Sequence, residues 1–470
     1  MKPAWLLRRN VIKKLIGNKA FYKMVLALAL PLLLQNAVTT FINLLDNLMI
    51  GQVGTEEMSG VSIINQLLII HMLCIFGSTS GAGIYAAQYY GRGDNDGVRY
   101  CLRFNILAAT LMTALFVAVF YVFDEQLIRA FLHEGEGGGD LEATLHHAVG
   151  YLRLMLWGLL PFALTNGYAN VLRVAGDTKL PMVASIVALL TNLVLNWVLI
   201  FGKLGFPVMG VRGAAIATVI SRFVEAGLII GLTHLKKKPP YAVGTYRSFY
   251  MPKELVKGNV TMSFPLLANE LFWSLSSTVQ MQCYSMRGLV AVAALNITNV
   301  VLNLFSVGLR TMGNCAGIIM GNKLGAGKFQ EARDDCPRLI ALCIAICAAF
   351  GAVLLLTADA IPHLYNTTAE VMVLAAGLMR LRALFLPVNA ITDTSYFILR
   401  SGGKTYITVL FDSVFSWILY VPTAWLLVHM TNLPLLTVFA IVCAMELVKA
   451  SVGLTLVRKG IWVQNIVETL

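Results

Sequence analysis

From Leu339 to Ala358 the chain runs LIALCIAICAAFGAVLLLTA without a single charge, and comparable apolar runs recur along its whole length. A helix of about 20 apolar residues crosses a hydrocarbon core about 30 Å thick. Lipid offers no partner to an unpaired backbone N–H or C=O, so only helices and closed barrels can span it. Alternating ten-residue strands are absent, which excludes a barrel. The composition agrees, with 58% hydrophobic and only 13% charged residues, where a soluble domain carries about 25% charged residues. The chain is therefore expected to be an all-α integral membrane protein.

Breaks at Gly, Pro and charge divide the sequence into twelve expected transmembrane helices, at 22–50, 57–89, 99–123, 147–173, 180–202, 211–235, 255–285, 290–322, 334–358, 371–399, 405–429 and 434–457. A shift of 234 positions superimposes the first half on the second. Pro31 then meets Pro265, Gly54 meets Gly288, Ile63 meets Ile297, Asn65 meets Asn299, Gly83 meets Gly317, Gly91 meets Gly325, Gly93 meets Gly327 and Arg99 meets Arg333. LRVAGDTK (172–179) matches LRSGGKT (399–405) at a smaller shift, the difference being taken up by the HEGEGGGD loop of the first half. Six helices per repeat is an even number, so the halves run in the same sense about an axis along the membrane normal. The expected architecture is two pseudo-symmetric six-helix lobes, 1–235 and 255–470, joined by a basic linker at 236–254. In such designs substrate sites lie near the repeat interface and access alternates, which points to a transporter.

Charge gives the orientation. Basic residues gather in alternate loops: Arg8 to Lys19, Arg92 to Arg103, Lys236 to Lys257, Lys323 to Arg338, and Arg458 with Lys459. The intervening loops hold acids, such as Glu56 and Glu57, or Asp124, Glu134, Glu136, Asp140 and Glu142. The positive-inside rule then places both termini in the cytoplasm, and the net charge of +12 marks topology and calls for no nucleic-acid partner. Ala4, Leu7, Val11 and Leu15 share one face of a short basic segment, which suits either a helix on the inner leaflet or a frayed tail. The eight cysteines show neither CxxC pairing nor zinc spacing.

Charges at membrane depth are functional candidates by default, since each costs about 2.5 to 3.5 kcal/mol on insertion scales. Asp46 shares a face of the first span with Gln35 and Thr39, with Asn43 on its flank. That face is expected to look into the bundle, with Asp46 as an ion-coupling carboxylate; the alternative is a helix-end acid paired at the water interface. Burial disfavours the charged form of a carboxylate and suits it to reversible protonation. Asn192 and Asn196, four apart in the fifth span, are placed to hydrogen-bond the Asp46 region or to hold helices together. Glu270 in the seventh span and Asp393 in the tenth are the second-half acids, with Arg310 as a base for one of them and the other left to titrate or to hold Na+. Pro31 and Pro265 interrupt the first helix of each half and are candidate hinges. Arg222 with Glu225, and Glu446 with Lys449, are expected to pair at three-residue spacing. His71 is expected to pack rather than to carry protons.

GGKT (402–405) lacks the first glycine of a phosphate loop, and no HExxH or GxSxG motif appears. With no nucleotide site and no reactive constellation, the chain is expected not to be an enzyme and to run on an ion gradient, with no cofactor besides the coupling ion, H+ or Na+.

The pattern P(x14)DNLMIGQVG, then AGDTKLP, then NLVLNWVLIFGKLGFPVMGVRGAAIATVISR (192–222), resembles the multidrug and toxic compound extrusion (MATE) family of bacterial type. The resemblance implies two six-helix lobes around a V-shaped cleft and efflux of organic, often cationic compounds in exchange for H+ or Na+. It makes Asp46 the coupling carboxylate of the amino-terminal lobe. Proton-coupled archaeal members carry an acid where this chain has Asn196. Sodium-type members place acids in the seventh and tenth spans about one turn from Glu270 and Asp393. Expected partners are small organic substrates and membrane lipids, in the inner membrane, with the chain acting as a monomer. A flippase of lipid-linked precursors, a related two-lobe design, is the alternative and would want a cationic cavity.

Overall fold

A computed structural model describes residues 15–53, 55–130 and 141–468, apart from the side chains of Asn43, Leu44, Asn47, Leu48, Thr55 and Glu56. Ala4, Leu7 and Val11 of the basic segment, Gly54, and the acids Glu134, Glu136 and Asp140 lie outside the described residues. The described residues are helical, with twelve long elements: α1 Lys19–Ile50, α2 Thr55–Arg92, α3 Asn95–Val122, α4 Leu141–Val174, α5 Lys179–Phe201, α6 Gly210–Gly231, α7 Lys253–Ser285, α8 Leu289–Gly325, α9 Phe329–Thr357, α10 Ala369–Ser401, α11 Thr405–Met430 and α12 Leu435–Arg458. Among the described residues, eleven spans are long and apolar enough to cross a membrane. The remaining helix, α7, falls short because Asn269, Glu270, Ser274, Ser276 and Ser277 interrupt its apolar middle.

Local chemistry sets the boundaries. Asp94 caps α3 by accepting a hydrogen bond from the Gly97 amide at 2.9 Å, satisfying one of the unpaired donors of a helix start. Gly93 and its repeat mate Gly327 both stop a helix with positive φ, 81° and 71°, a conformation that costs glycine nothing. Among the described residues two spans are irregular: the sixth ends in a π-helical turn at Leu232–Lys237, and α11 is π-helical through its middle. Leu410–Val414 and Ser416–Tyr420 are π-helical, a widening of the helix often found at functional positions.

The chain forms two compact units, residues 34–86 with 94–267, and residues 1–33 with 87–93 and 268–470. In the first unit, Ile64, Leu67 and Leu68 of α2 and Tyr151, Leu152, Met155 and Leu159 of α4 bury against Ile200 of α5 and Ala214 and Ala215 of α6. Arg103 of α3 donates to the carbonyls of Thr245, Tyr250 and Gly244, each at 2.9 Å, which ties the linker down.

In the second unit, the end of α2 meets the end of α8 with the symmetry of the repeat. A Cβ on Gly91 would collide with the Asn322 carbonyl and one on Gly325 with the Gln88 carbonyl; these four positions are two pairs 234 apart. The C-terminal residues close over this contact, with Gln88 donating to the Ser401 carbonyl at 3.0 Å and Arg92 to the Val467 carbonyl at 2.9 Å. Both α1 and α7 remain continuous through their prolines. The chain changes unit after Leu33 and after Leu267, two residues past Pro31 and two residues past Pro265.

Candidate functional site

The first unit holds Asp46 on α1, half-buried and four residues before the helix ends. Across from it α5 presents Asn192 and Asn196, one turn apart and both buried. The Asn196 amide donates to the Asp46 carboxylate, and also to Asn192 Oδ1 at 3.2 Å. The Asn192 amide in turn donates to Thr218 Oγ1 of α6 at 3.2 Å. The chain of amides thus ends on a carboxylate that, among the described residues, has no ion-pair partner. Asn196 Oδ1, fully buried, accepts no hydrogen bond, so the same side chain that orients Asp46 offers an oxygen beside it. A carboxylate and uncharged oxygens from side chains are the donor set a hard monovalent cation or a proton takes.

Gln35 and Thr39 do not join this chain. The buried Gln35 accepts from Arg173 of α4 at 3.2 Å, and the Thr39 hydroxyl folds back to the Gln35 carbonyl at 2.8 Å. A shared face does not bring side chains together when they stand 11 residues apart, about 16 Å along a helix. The Asn43 side chain lies outside the described residues. Arg222 of α6 makes no ion pair with Glu225; its guanidinium lies over the Phe162 ring, 5.1 Å from the centroid, and Glu225 bonds to Ser185. His71 is fully buried, bonded to Thr113 at 3.2 Å and packed on Phe116.

The second unit arranges its acids differently. At its centre, Asp412 of α11 meets the Lys449 ammonium of α12 at 2.7 Å and accepts from the Asn269 amide of α7 at 3.0 Å. Ser413 donates to Asn269 Oδ1 at 2.7 Å, and Asn269 reaches the Tyr396 hydroxyl of α10 at 3.4 Å. Glu270 and Asp393, both half-buried, lie within electrostatic reach of Asp412 and of Arg310. The expected Arg310 bridge to an acid is not formed. Arg310 is exposed and lies over the Trp273 ring, 5.8 Å from its centroid. Lys449 likewise bypasses Glu446, three residues back on its own helix, for Asp412 across the bundle.

The sequence reading missed Asp412, although an acid in the eleventh apolar span is the signal that singled out Asp46. Among the described residues no three His, Cys, Asp or Glu side chains form a group that would hold a metal ion.

A protein-family model, MatE, matches residues 31–198 and again 265–426. The two matches begin 234 residues apart, one on each repeat. The chain belongs to the MatE family. Its MatE relatives include the probable multidrug resistance protein NorM of Thermotoga maritima, 25% identical over 95% of this chain and 94% of that protein. The multidrug resistance protein MdtK of Yersinia enterocolitica is 25% identical over 86% of each. Among solved structures, the outward-facing conformation of a multidrug resistance MATE family transporter superposes with a TM-score of 0.85 at 21% identity, over 95% of this chain and 97% of that one. A MOP superfamily transporter from Pyrococcus furiosus gives 0.83 at 21% over the same shares. As a MatE protein the chain is a multi-pass membrane transporter of two-lobe design, not an enzyme.

Proposed function

We propose that this transporter is a secondary active antiporter of the inner membrane, with both termini cytoplasmic, that exports organic, often cationic compounds in exchange for H+ or Na+. The observation that carries this reading is Asp46, an intramembrane carboxylate hydrogen-bonded through Asn196 and left without a basic partner among the described residues. Such a group is neutralised only from outside the protein, by a proton, a sodium ion or a cationic substrate. Competition among these for one carboxylate is a coupling device, because a ligand shifts two access states only by as much as its affinities for them differ. The relatives named for multidrug resistance support the cargo class.

Pro31 and Pro265 serve as hinges in this scheme. Each removes one backbone hydrogen bond from a spanning helix, and each lies two residues before the chain changes unit. The acid and amide chain around Asp46 favours a cationic cargo over the anionic headgroup that a lipid-linked precursor flippase would carry.

The test is uptake of a fluorescent organic cation into proteoliposomes under separately imposed proton and sodium gradients. The wild type is expected to respond to one of them, and Asp46→Asn, while still inserting, to neither. Full gradient-driven transport by Asp46→Asn would reject the reading.

A further inference from the structure

Lys449 lies in the middle of α12, and its side chain is 8% exposed. A buried lysine at membrane depth is costly unless its charge is used. Three acids of the second unit lie within electrostatic reach of it, Asp393, Asp412 and Glu446, and a fourth, Glu270, lies within reach of Asp412. Four bases stand in the same unit: Arg310 and Arg400 within reach of Glu270, Lys449 within reach of Asp393, and Arg382 within reach of Tyr420. Three of the bases are guanidinium groups lying over aromatic rings, Trp273, Phe439 and Phe397. Lys449 brings a compact point charge into contact with Asp412, at 2.7 Å.

We propose that Lys449 is a tethered cation standing where a free monovalent cation would otherwise bind among these acids, and that it sets the second unit against Na+. Its ammonium has the surroundings of a bound ion. Asp412 Oδ1 supplies the charge, the Phe411 and Tyr420 rings face it at 5.5 and 5.8 Å, and Asn269 holds the other carboxylate oxygen in place. The π-helical segments on either side of Phe415 present Asp412 and Tyr420 toward α12.

Among the described residues, Tyr420 Oη, Glu446 Oε2 and Ser395 Oγ are buried oxygens of this unit without a hydrogen-bond partner. Ser395 of α10 is fully buried, its hydroxyl has no hydrogen-bond partner, and its Cβ stands 3.1 Å from where a Cβ of Gly453 would lie, one turn beyond Lys449 on α12. Removing the ammonium would leave Asp412 as a negative charge without its contact cation, in an otherwise intact shell. The inference rests on the proposed ion coupling, but its readout is ion binding and not transport.

The experiment measures 22Na+ binding and Na+-specific thermal stabilisation of the purified full-length chain, against choline, with Asp46→Asn in every sample to silence the first unit. With Lys449 intact, no Na+-specific signal is expected. Adding Lys449→Met should create one, tightening apparent Na+ affinity by about 10- to 100-fold, the scale of one contact charge at intermediate dielectric. Adding Asp412→Asn to that variant should abolish it, and Lys449→Arg should not create it. Na+ binding with Lys449 intact that is lost on Glu270→Gln or Asp393→Asn would overturn the proposal, and this arm does not depend on Lys449→Met folding. A folded Lys449→Met protein that gains no Na+ response would overturn it equally. If Asp46→Asn instead leaves transport intact, the coupling reading fails while the ion-binding result still decides the role of Lys449.

Discussion

Asp46 in the first unit and Asp412 in the second are both carboxylates at membrane depth, and each accepts a hydrogen bond from an asparagine amide, Asn196 in one case and Asn269 in the other. They differ in what else reaches them. The Lys449 ammonium stands 2.7 Å from Asp412, whereas among the described residues no cation comes within ion-pair distance of Asp46. One charge is cancelled inside the protein and the other is left for a visitor. The repeat therefore duplicates a helical frame without duplicating the chemistry it holds, since the position 234 residues beyond Asp46 is Gln280.

If that contrast is right, neutralising the two acids has unequal consequences for stability. Asp412→Asn strands Lys449 without its counter-ion, and breaking a buried pair from one side costs about 3 to 5 kcal/mol. Thermal unfolding in detergent should show this loss, and should show most of it recovered in Asp412→Asn with Lys449→Met. Asp46→Asn strands nothing and should unfold within about 1 kcal/mol of the wild type. Equal losses for the two single variants would break the comparison.

The amides sharpen it next. Asn269→Ala removes bonds to Asp412, Tyr396 and Ser413 together, and should cost about 3 kcal/mol, counting intramembrane hydrogen bonds at roughly 0.6 kcal/mol each and at least about 1 kcal/mol for the stranded Asp412 oxygen. Asn196→Ala removes bonds to Asp46 and Asn192 only, so unfolding should register about 1 kcal/mol, while gradient-driven uptake falls more than it does for Asn269→Ala. A larger transport defect for Asn269→Ala would reverse the assigned roles. Thr218→Val should have the smallest effect, about 0.6 kcal/mol, because it takes only the outermost acceptor from Asn192.

The frame was legible in the sequence because the bilayer dictates span length and the repeat preserves its glycines. Gly91 and Gly325 recur because carbonyls press against both, and Gly93 and Gly327 because both helix stops need positive φ. Periodicity also placed Asn192 and Asn196 together on one face of α5. It could not supply partners distant in sequence. Three-residue spacing suggested Lys449 with Glu446, yet the shorter contact lies across the bundle to Asp412, 37 residues away. Arg310 was assigned to an acid on charge alone, and an exposed guanidinium found an indole instead. Gln35 shared a face with Asp46 and was still claimed by Arg173.

The central claim, that Asp46 alternates between substrate and coupling ion, is tested most directly by equilibrium binding of an organic cation to the purified chain as proton or sodium concentration is raised. The account predicts that one of the two ions weakens substrate binding to the wild type in proportion to its own occupancy, and that Asp46→Asn binds substrate with an affinity independent of both. Substrate binding to Asp46→Asn that still competes with the ion as it does in the wild type would contradict it.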